Sequence, residues 1–202
     1  TGGPVSMVNN NLLSASDFLT GGFPAYYGNR ISAVFDLKYR NGNDEKHEFI
    51  GQFGINGFEL LSEGPISRKN KSSYLASLRY ANLGLMQKLG INIGIVAVPQ
   101  FGDFSFKIHL PQKNGNIFSI IGLSGISYST IDSQEDTTSF GNGRDIETGT
   151  RLGVLGFSYQ HFYNEKSWGK WVLSTSNNLY ATTVDSVAIN STGELNKTRW
   201  YS

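Results

Sequence analysis

The sequence contains no cysteine and comparatively few charged residues. The lack of cysteine excludes disulfide scaffolds, cysteine-ligated metal sites and thiol catalysis. Charged residues make up 16% of the chain, against about 25% in typical globular proteins. The net charge is +1, from 17 basic and 16 acidic residues, which argues against a general binder of nucleic acid or other polyanions. No apolar run approaches the roughly 20 residues that a membrane-spanning helix requires.

The chain also begins without the basic and apolar pattern of a signal segment. Its first residues, "TGGPVSMVNNNLL", resemble the interior of a protein rather than a start. We therefore expect both ends of the 202-residue chain to be cut from a longer sequence.

Glycine and aromatic residues are abundant, with 24 glycines and 13% aromatics, and the dominant pattern is alternation. In "FSFKIHL" (104–110) the even positions are apolar, and the odd positions are polar. "VFDLKYR" (34–40), "SYLASLRY" (73–80) and "RLGVLGFSYQHFY" (151–163) alternate in the same way. A period of two residues is typical of strands with one apolar and one polar face. The sequence therefore predicts an all-β, antiparallel fold.

The connections between these strands alternate between short and long. Tight polar turns at 67–73, 112–116 and 164–167 are separated by long excursions at 81–100 and 130–150. Outer-membrane barrels have this rhythm, with short periplasmic turns and longer outer loops, and the strands have the required length of about 9 to 11 residues. Proline supplies no N–H to a ladder, and all five prolines are predicted to lie outside the strand cores (Pro4, Pro24, Pro65, Pro99 and Pro111).

Several aromatic residues are predicted to lie near the ends of strands. Trp168 and Trp171 flank a short turn, and the nearby tyrosines include Tyr74, Tyr80 and Tyr159. This placement is typical of the aromatic girdles at the two surfaces of a membrane barrel. The alternative is that these aromatics fill the core of a soluble β-sandwich.

The stretch "DFLTGGFPAYYGNRISAVFDLK", Asp17 to Lys38, resembles the closing segment of the plug domain in TonB-dependent outer-membrane receptors. That family shows an apolar strand, a glycine, Ala-x-Tyr-Gly and then a strand that leads into the barrel. Ala33 stands where many relatives carry glycine. At the level of motifs the resemblance extends from about residue 1 to residue 65. The matching positions before the second strand are Phe18, Leu19, Gly21, Ala25, Tyr27 and Gly28.

The resemblance implies an architecture of two parts. Residues 1–40 would be the C-terminal part of a plug domain, and residues 41–202 would be the first seven or eight strands of an antiparallel transmembrane β-barrel. Barrels of this family have about 22 strands around a plugged lumen. Asn56-Gly57 is predicted to form a two-residue hairpin turn. The predicted barrel strands lie near 46–56, 58–65, 73–82, 101–111, 116–129, 151–164, 168–184 and 195–202.

The glycine-aromatic stretch is expected to let the plug chain fold back tightly. Gly21, Gly22 and Gly28 permit close backbone approach and positive φ. Tyr26 and Tyr27 are expected to wedge between the plug and the barrel wall.

The resemblance also implies a function. Such receptors bind a scarce nutrient at the cell surface and import it when the periplasmic TonB complex pulls on the plug. The implied location is the outer membrane. The implied partners are the TonB complex, acting through a region N-terminal to this chain, outer-membrane lipid, a nutrient ligand of unknown identity and, as in some relatives, a lipoprotein lid. No nucleic-acid partner and no cofactor are implied.

Catalysis and metal binding find little support in the sequence. His47, His109 and His161 are predicted to lie on different strands without the spacing of a metal motif. Ser124 in "GLSG" does not meet the GxSxG pattern of a nucleophile elbow. The acidic excursion contains Asp132, Glu135, Asp136, Asp145 and Glu147. It lacks EF-hand spacing, so we expect a hydrated loop rather than a calcium site, and we predict that the chain is not an enzyme.

Two other architectures remain open at this stage. One is a complete eight-stranded barrel, whose side chains fill the interior and leave no lumen for residues 1–40. The other is a soluble β-sandwich that binds carbohydrate through its aromatic residues.

Overall fold

The computed structural model describes residues 9–22, 24, 27–28, 32–54, 57–82, 98–131, 144–189 and 195–201. Within these residues the protein contains ten strands and two short 3-10 turns, at Asn10–Leu12 and Arg68–Asn70. No helix in the described segments has the length and apolar character needed to cross a membrane. The strands are β1 (Leu13–Thr20), β2 (Ala33–Tyr39), β3 (Glu48–Gly54), β4 (Gly57–Ser67), β5 (Ser72–Asn82), β6 (Val98–Pro111), β7 (Ile117–Ile131), β8 (Arg144–Asn164), β9 (Ser167–Ile189) and β10 (Leu195–Tyr201).

The ten strands form two antiparallel sheets, which confirms the predicted all-β class. β1 pairs with β2 in a two-stranded sheet, and β3 to β10 form an eight-stranded sheet in which each strand pairs with its sequence neighbours. The short connections at 68–71, 112–116 and 165–166 all lie at one end of the strands, as predicted. Among the described strands, β3 and β10 have one neighbour each. The sheet is therefore open, and these strands do not close into the small eight-stranded barrel considered above.

All eight predicted strands of the large sheet exist, but β8 and β9 are longer than predicted. β8 begins at Arg144 instead of residue 151, and β9 continues to Ile189 instead of residue 184. Ladder pairing continues through the polar residues Thr148 and Thr150, whose β-branched side chains favour strands. The predicted excursion at 130–150 is correspondingly too long. The central parts of the excursions, 83–97 and 132–143, lie outside the described residues.

Three prolines lie within strands, and one of them, Pro65, corrects the prediction that all five lie outside the strand cores. Pro99 and Pro111 lie near the two ends of β6. Pro65 lies inside β4, where the register with β5 shifts between Pro65 and Ser67. An irregularity of this kind tolerates a residue without an N–H.

The predicted two-residue turn is displaced by one position. Gly54 pairs with Gly57, so residues 55 and 56 connect β3 to β4, and both lie outside the described residues. Gly57 is in β4 and has a φ of 102°, a conformation that glycine adopts without steric cost.

The buried apolar cluster lies between the base of the β1–β2 sheet and the large sheet. Leu12 lies in the 3-10 turn before β1, and Tyr39 ends β2. Leu61 and Leu75 come from the large sheet, and Leu13 and Ile121 pack against the cluster. This cluster positions the N-terminal part of the chain on one face of strands β4 to β7.

Candidate functional site

The large sheet has two faces of opposite character, defined by its register. Ser77 pairs with Ser105, and Arg79 pairs with Asp103, so these four side chains share one face, here called the polar face. The neighbouring residues Leu78 and Phe104 pair on the opposite face, here called the apolar face. The predicted alternation of "FSFKIHL" is confirmed, because Ser105 and Lys107 contact the N-terminal part of the chain while Phe104 is exposed.

The apolar face is exposed along the sheet. Leu173 in β9 is 72% exposed and Trp171 is 56% exposed. Burying a large apolar side chain is worth about 1.5–3 kcal/mol, and large contiguous apolar patches are rare on soluble monomers. The described residues contribute no second layer over this face. Other exposed members include Phe49, Phe53, Leu60, Leu78, Phe104, Ile126 and Leu179.

Aromatic residues border the apolar face at both ends. Tyr159 and Trp171 stack at the end with the short connections, with ring centroids 5.9 Å apart. Phe58 and Tyr80 pack at the opposite end, also at 5.9 Å. The girdle prediction needs one correction. Trp168 pairs with Phe162 three positions before Trp171, and an odd separation along a strand places it on the other face.

The polar face is partly covered by residues 9–12 and 39–43, here called the docked segment. The Asn9 side-chain amide donates to a Glu59 carboxylate oxygen and to Ser77 Oγ, both at 2.7 Å. Asn11 donates to the same Glu59 oxygen at 2.8 Å. Asn9 and Ser77 are almost completely buried, so the bond between them forms away from bulk water, whereas the bond from Asn11 to Glu59 is exposed.

A bidentate ion pair fixes the other part of the docked segment. Arg40 Nη1 and Nη2 contact the two Glu63 carboxylate oxygens at 2.6 and 2.7 Å. The Asn43 N–H donates to Glu63 as well, at 2.8 Å, and Arg40 Nε donates to the Asn11 carbonyl at 2.8 Å. The hydrogen bond to Glu63 raises the pKa of Arg40 above its ordinary value. Charge-assisted pairs of this geometry are among the stronger hydrogen bonds in proteins.

Tyr39 and Gly42 complete the contact. Lys107 Nζ donates to the Tyr39 carbonyl at 2.6 Å, and burial raises the pKa of the Tyr39 phenol. A Cβ at Gly42 would overlap the Tyr74 carbonyl, so the segment lies directly against the β5 backbone at this point. The docked segment is therefore held by specific polar contacts and by close packing.

The structure describes part of the glycine-aromatic stretch. Gly21 has a φ of 72°, as predicted, whereas the prediction of positive φ is wrong for Gly22 and Gly28. A Cβ at any of the three would meet nothing within 4 Å. The predicted close backbone approach at these glycines is wrong, and it occurs at Gly42 instead. The Tyr27 N–H donates to the Pro24 carbonyl at 3.0 Å. Ala25 and Tyr26 lie outside the described residues, and the wedging of the tyrosines stays a prediction.

The candidate catalytic and metal-binding residues lie apart. The nearest polar partners of the histidines are Tyr74 for His47, Ser119 for His109 and Tyr159 for His161, at 3.2, 3.5 and 3.4 Å. His47 precedes β3 and is not on a strand, which corrects the prediction. No three His, Asp or Glu side chains in the described part of the chain gather into a group that could hold a metal ion.

Part of the acidic excursion and Ser124 lie within strands of the large sheet. Asp145 and Glu147 lie in β8, so the prediction that they belong to a hydrated loop is wrong. The predicted strand begins at residue 151, seven residues later than β8 does, and therefore excludes both acidic positions. Ser124 lies within β7. Asp132, Glu135 and Asp136 lie outside the described residues.

Sequence reasoning missed the residues that hold the docked segment. Asn9, Arg40, Glu59 and Glu63 are far apart in the chain, and no motif connects them. One signal was available: Glu59 and Glu63 flank Leu61 on a single face of β4 in a sequence with few charges. Charged side chains that alternate with apolar ones on a strand require a polar partner or water on that face.

No protein-family model, no curated protein and no solved structure matches the chain. The functional interpretation therefore depends on the two faces of the sheet and on the motif resemblance of residues 17–38.

Proposed function

We propose that the chain is the end of the plug and part of the barrel wall of a TonB-dependent outer-membrane receptor. The β1–β2 sheet and the docked segment would belong to the plug, and β3 to β10 would be eight strands of a wall of about 22. The observation that carries the proposal is the difference in chemical character between the two faces of the large sheet. The exposed face is apolar, and the face that holds the N-terminal part of the chain is polar.

This arrangement is the reverse of a soluble sandwich. A sandwich buries its apolar sheet faces against one another and leaves the polar faces to water. Here the N-terminal residues cover polar groups such as Glu63 and Ser77, while residues such as Leu173 remain uncovered. Lipid hydrocarbon would cover them at no cost in hydrogen bonding, and the aromatic residues at both borders suit the two membrane surfaces.

The proposed import cycle requires the docked segment to leave and return. A nutrient would bind at the cell surface, and the TonB complex would pull on the region that precedes this chain. Hydrogen bonds and ion pairs, such as those between Asn9 and Ser77 or Arg40 and Glu63, can break and form again in the same geometry. The exposed polar side chains of Ser174 and Asn178 on β9 would then line the passage.

Cysteine labelling in lipid vesicles tests the wall. The chain has no cysteine, so single cysteines can replace the neighbours Leu173 and Ser174, whose side chains point to opposite faces of β9. A membrane-impermeant maleimide should label Ser174→Cys and leave Leu173→Cys unlabelled. Equal labelling of the two positions would contradict a lipid-covered apolar face.

Labelling in energised cells tests the receptor mechanism separately. A cysteine at Ser77, which lies beneath Asn9 at 1% exposure, should be labelled faster when the proton-motive force is present than when it is collapsed. Ser174→Cys, on the uncovered part of the polar face, is the matched control and should not respond. An unchanged rate at Ser77 would contradict TonB-driven movement while leaving the wall proposal intact.

A further inference from the structure

A groove crosses the apolar face at the level of its second aromatic border. One row of paired residues runs across strands β5 to β8 and consists of Tyr80, Gly102, Ile126 and Arg151. Gly102 has no side chain between Tyr80 and Ile126, and this gap opens a groove of about 580 Å³. Apolar side chains form its walls, including those of Phe58, Leu78 and Phe104.

The groove continues along the face into a second depression. This neighbouring groove has a volume of about 310 Å³ and shares Phe104 and Ser124 with the first. Gly153, which pairs with Ser124, again leaves a gap in the row. The two grooves together form one longer surface groove, lined largely by apolar side chains, that runs from Arg151 towards the middle of the apolar face.

The positively charged Arg151 side chain lies at the end of this longer groove. Its side chain is exposed, and its Nη2 donates to the Tyr128 hydroxyl at 3.1 Å. The tyrosine holds the guanidinium at the aromatic border and leaves other N–H donors available. Glu147 lies four positions from Arg151 along β8, on the same face and on the side away from the groove, so an anion would approach Arg151 from the groove side. An arginine at the aromatic border pairs well with a lipid phosphate, since its planar guanidinium can donate two parallel hydrogen bonds to phosphate oxygens.

We propose that this groove is a binding site for one anionic lipid that carries a phosphate on its headgroup. An acyl chain lies over Gly102, Phe104 and Gly153, and the lipid phosphate contacts Arg151. The inference rests on the proposed function, because it requires the apolar face to meet lipid. It goes beyond that function by assigning a specific lipid site and the side chain that selects its charge.

Native mass spectrometry of the full chain in detergent tests the site, with phosphatidylglycerol and phosphatidylcholine added in equal amounts. We expect one retained lipid and a preference of about fivefold for the anionic lipid, the effect of a single arginine near a membrane surface. Arg151→Gln should abolish the preference. Arg68→Gln, which removes an exposed arginine from the turn between β4 and β5, is the matched control and should retain it.

A second variant tests the groove itself. A Cβ at Gly102 would make ordinary contacts, the nearest at 3.5 Å to the Tyr80 ring, so Gly102→Ile should fold while filling the gap. It should weaken the retention of both lipids equally. Retention of both lipids without preference by the wild-type protein, or an unchanged preference in Arg151→Gln, would overturn the assignment. If Leu173→Cys is protected in vesicles but no lipid is retained, the wall proposal stands and the lipid site is wrong. If Leu173→Cys is labelled, the wall proposal fails first.

Discussion

Removal of the Glu63 carboxylate should loosen the docked segment without unfolding the sheet. Glu63→Ala deletes both hydrogen bonds to Arg40 and the bond from the Asn43 N–H. Breaking a fully buried ion pair costs about 3–5 kcal/mol. The Arg40 side chain is 31% exposed, so water recovers part of this loss, and we expect a cost of about 2–3 kcal/mol.

Hydrogen exchange at the amides of Leu12 and Arg40 measures this cost directly. The Leu12 N–H donates to the Asn9 carbonyl, and the Arg40 N–H donates to the Leu12 carbonyl. Neither bond involves Glu63, so faster exchange reports the opening of the segment rather than the lost partner. A cost of about 2–3 kcal/mol corresponds to exchange about 30- to 160-fold faster at both amides. Amides in the β6–β7 ladder should exchange at the wild-type rate.

The matched control is Lys46→Gln, which breaks an exposed ion pair with Glu48. Exposed pairs contribute little to stability, so exchange at Leu12 and Arg40 should not change. An Arg40→Gln/Glu63→Gln double-mutant cycle should give a coupling energy of about 2 kcal/mol. The reasoning is refuted if Glu63→Ala speeds exchange no more than Lys46→Gln does.

Three further predictions concern other contacts. Gly42→Ala should destabilise docking by about 1–3 kcal/mol, because its Cβ would overlap the Tyr74 carbonyl. Gly22→Ala is the control and should have no effect, since its Cβ would meet nothing within 4 Å. Equal rates of hydrogen exchange at the Arg40 amide in the two variants would contradict this. Asn116→Ala removes bonds to the Tyr159 hydroxyl and from the Phe162 N–H and should cost about 1–3 kcal/mol in thermal unfolding. Lys113→Ala in the same turn should cost nothing, and a similar loss there would argue against the Asn116 contacts. Burial raises the pKa of Tyr39 above the ordinary tyrosine value of about 10. An ultraviolet titration of Tyr39→Phe should therefore lack one of the high-pKa tyrosine ionisations that the wild-type protein shows. Since the folded state holds this proton more tightly, its contribution to stability is complete below about pH 10 and is lost as the pH rises further. Loss of a normally titrating tyrosine would contradict the burial argument.

The strands and their two faces could be predicted from the sequence because a period of two is a local signal. "FSFKIHL" shows its faces in seven residues, and the eight strands of the large sheet follow from such stretches. Strand ends were less predictable. β8 and β9 continue into polar sequence, where the ladder partner and not the residue type decides whether the chain remains extended.

The contacts of the docked segment could not be predicted in the same way. Arg40 and Glu63 are 23 residues apart, and Asn9 and Ser77 are 68 apart. Their proximity depends on how the N-terminal part of the chain lies on the sheet, which no local pattern records. The glycines show the same limit, since the sequence predicts close backbone approach in a glycine-rich motif but the structure has it at Gly42 beside β5.

Tryptophan fluorescence in lipid vesicles tests the central claim, that the apolar face meets hydrocarbon and the polar face does not. Trp168 and Trp171 lie three residues apart on β9 and face opposite ways. Two variants, one with Trp171 alone and one with Trp168 alone, can be made by replacing the other tryptophans with phenylalanine. Lipids brominated near the headgroup should quench Trp171 strongly and Trp168 only weakly. Equal quenching of the two, or no quenching of Trp171, would contradict the account.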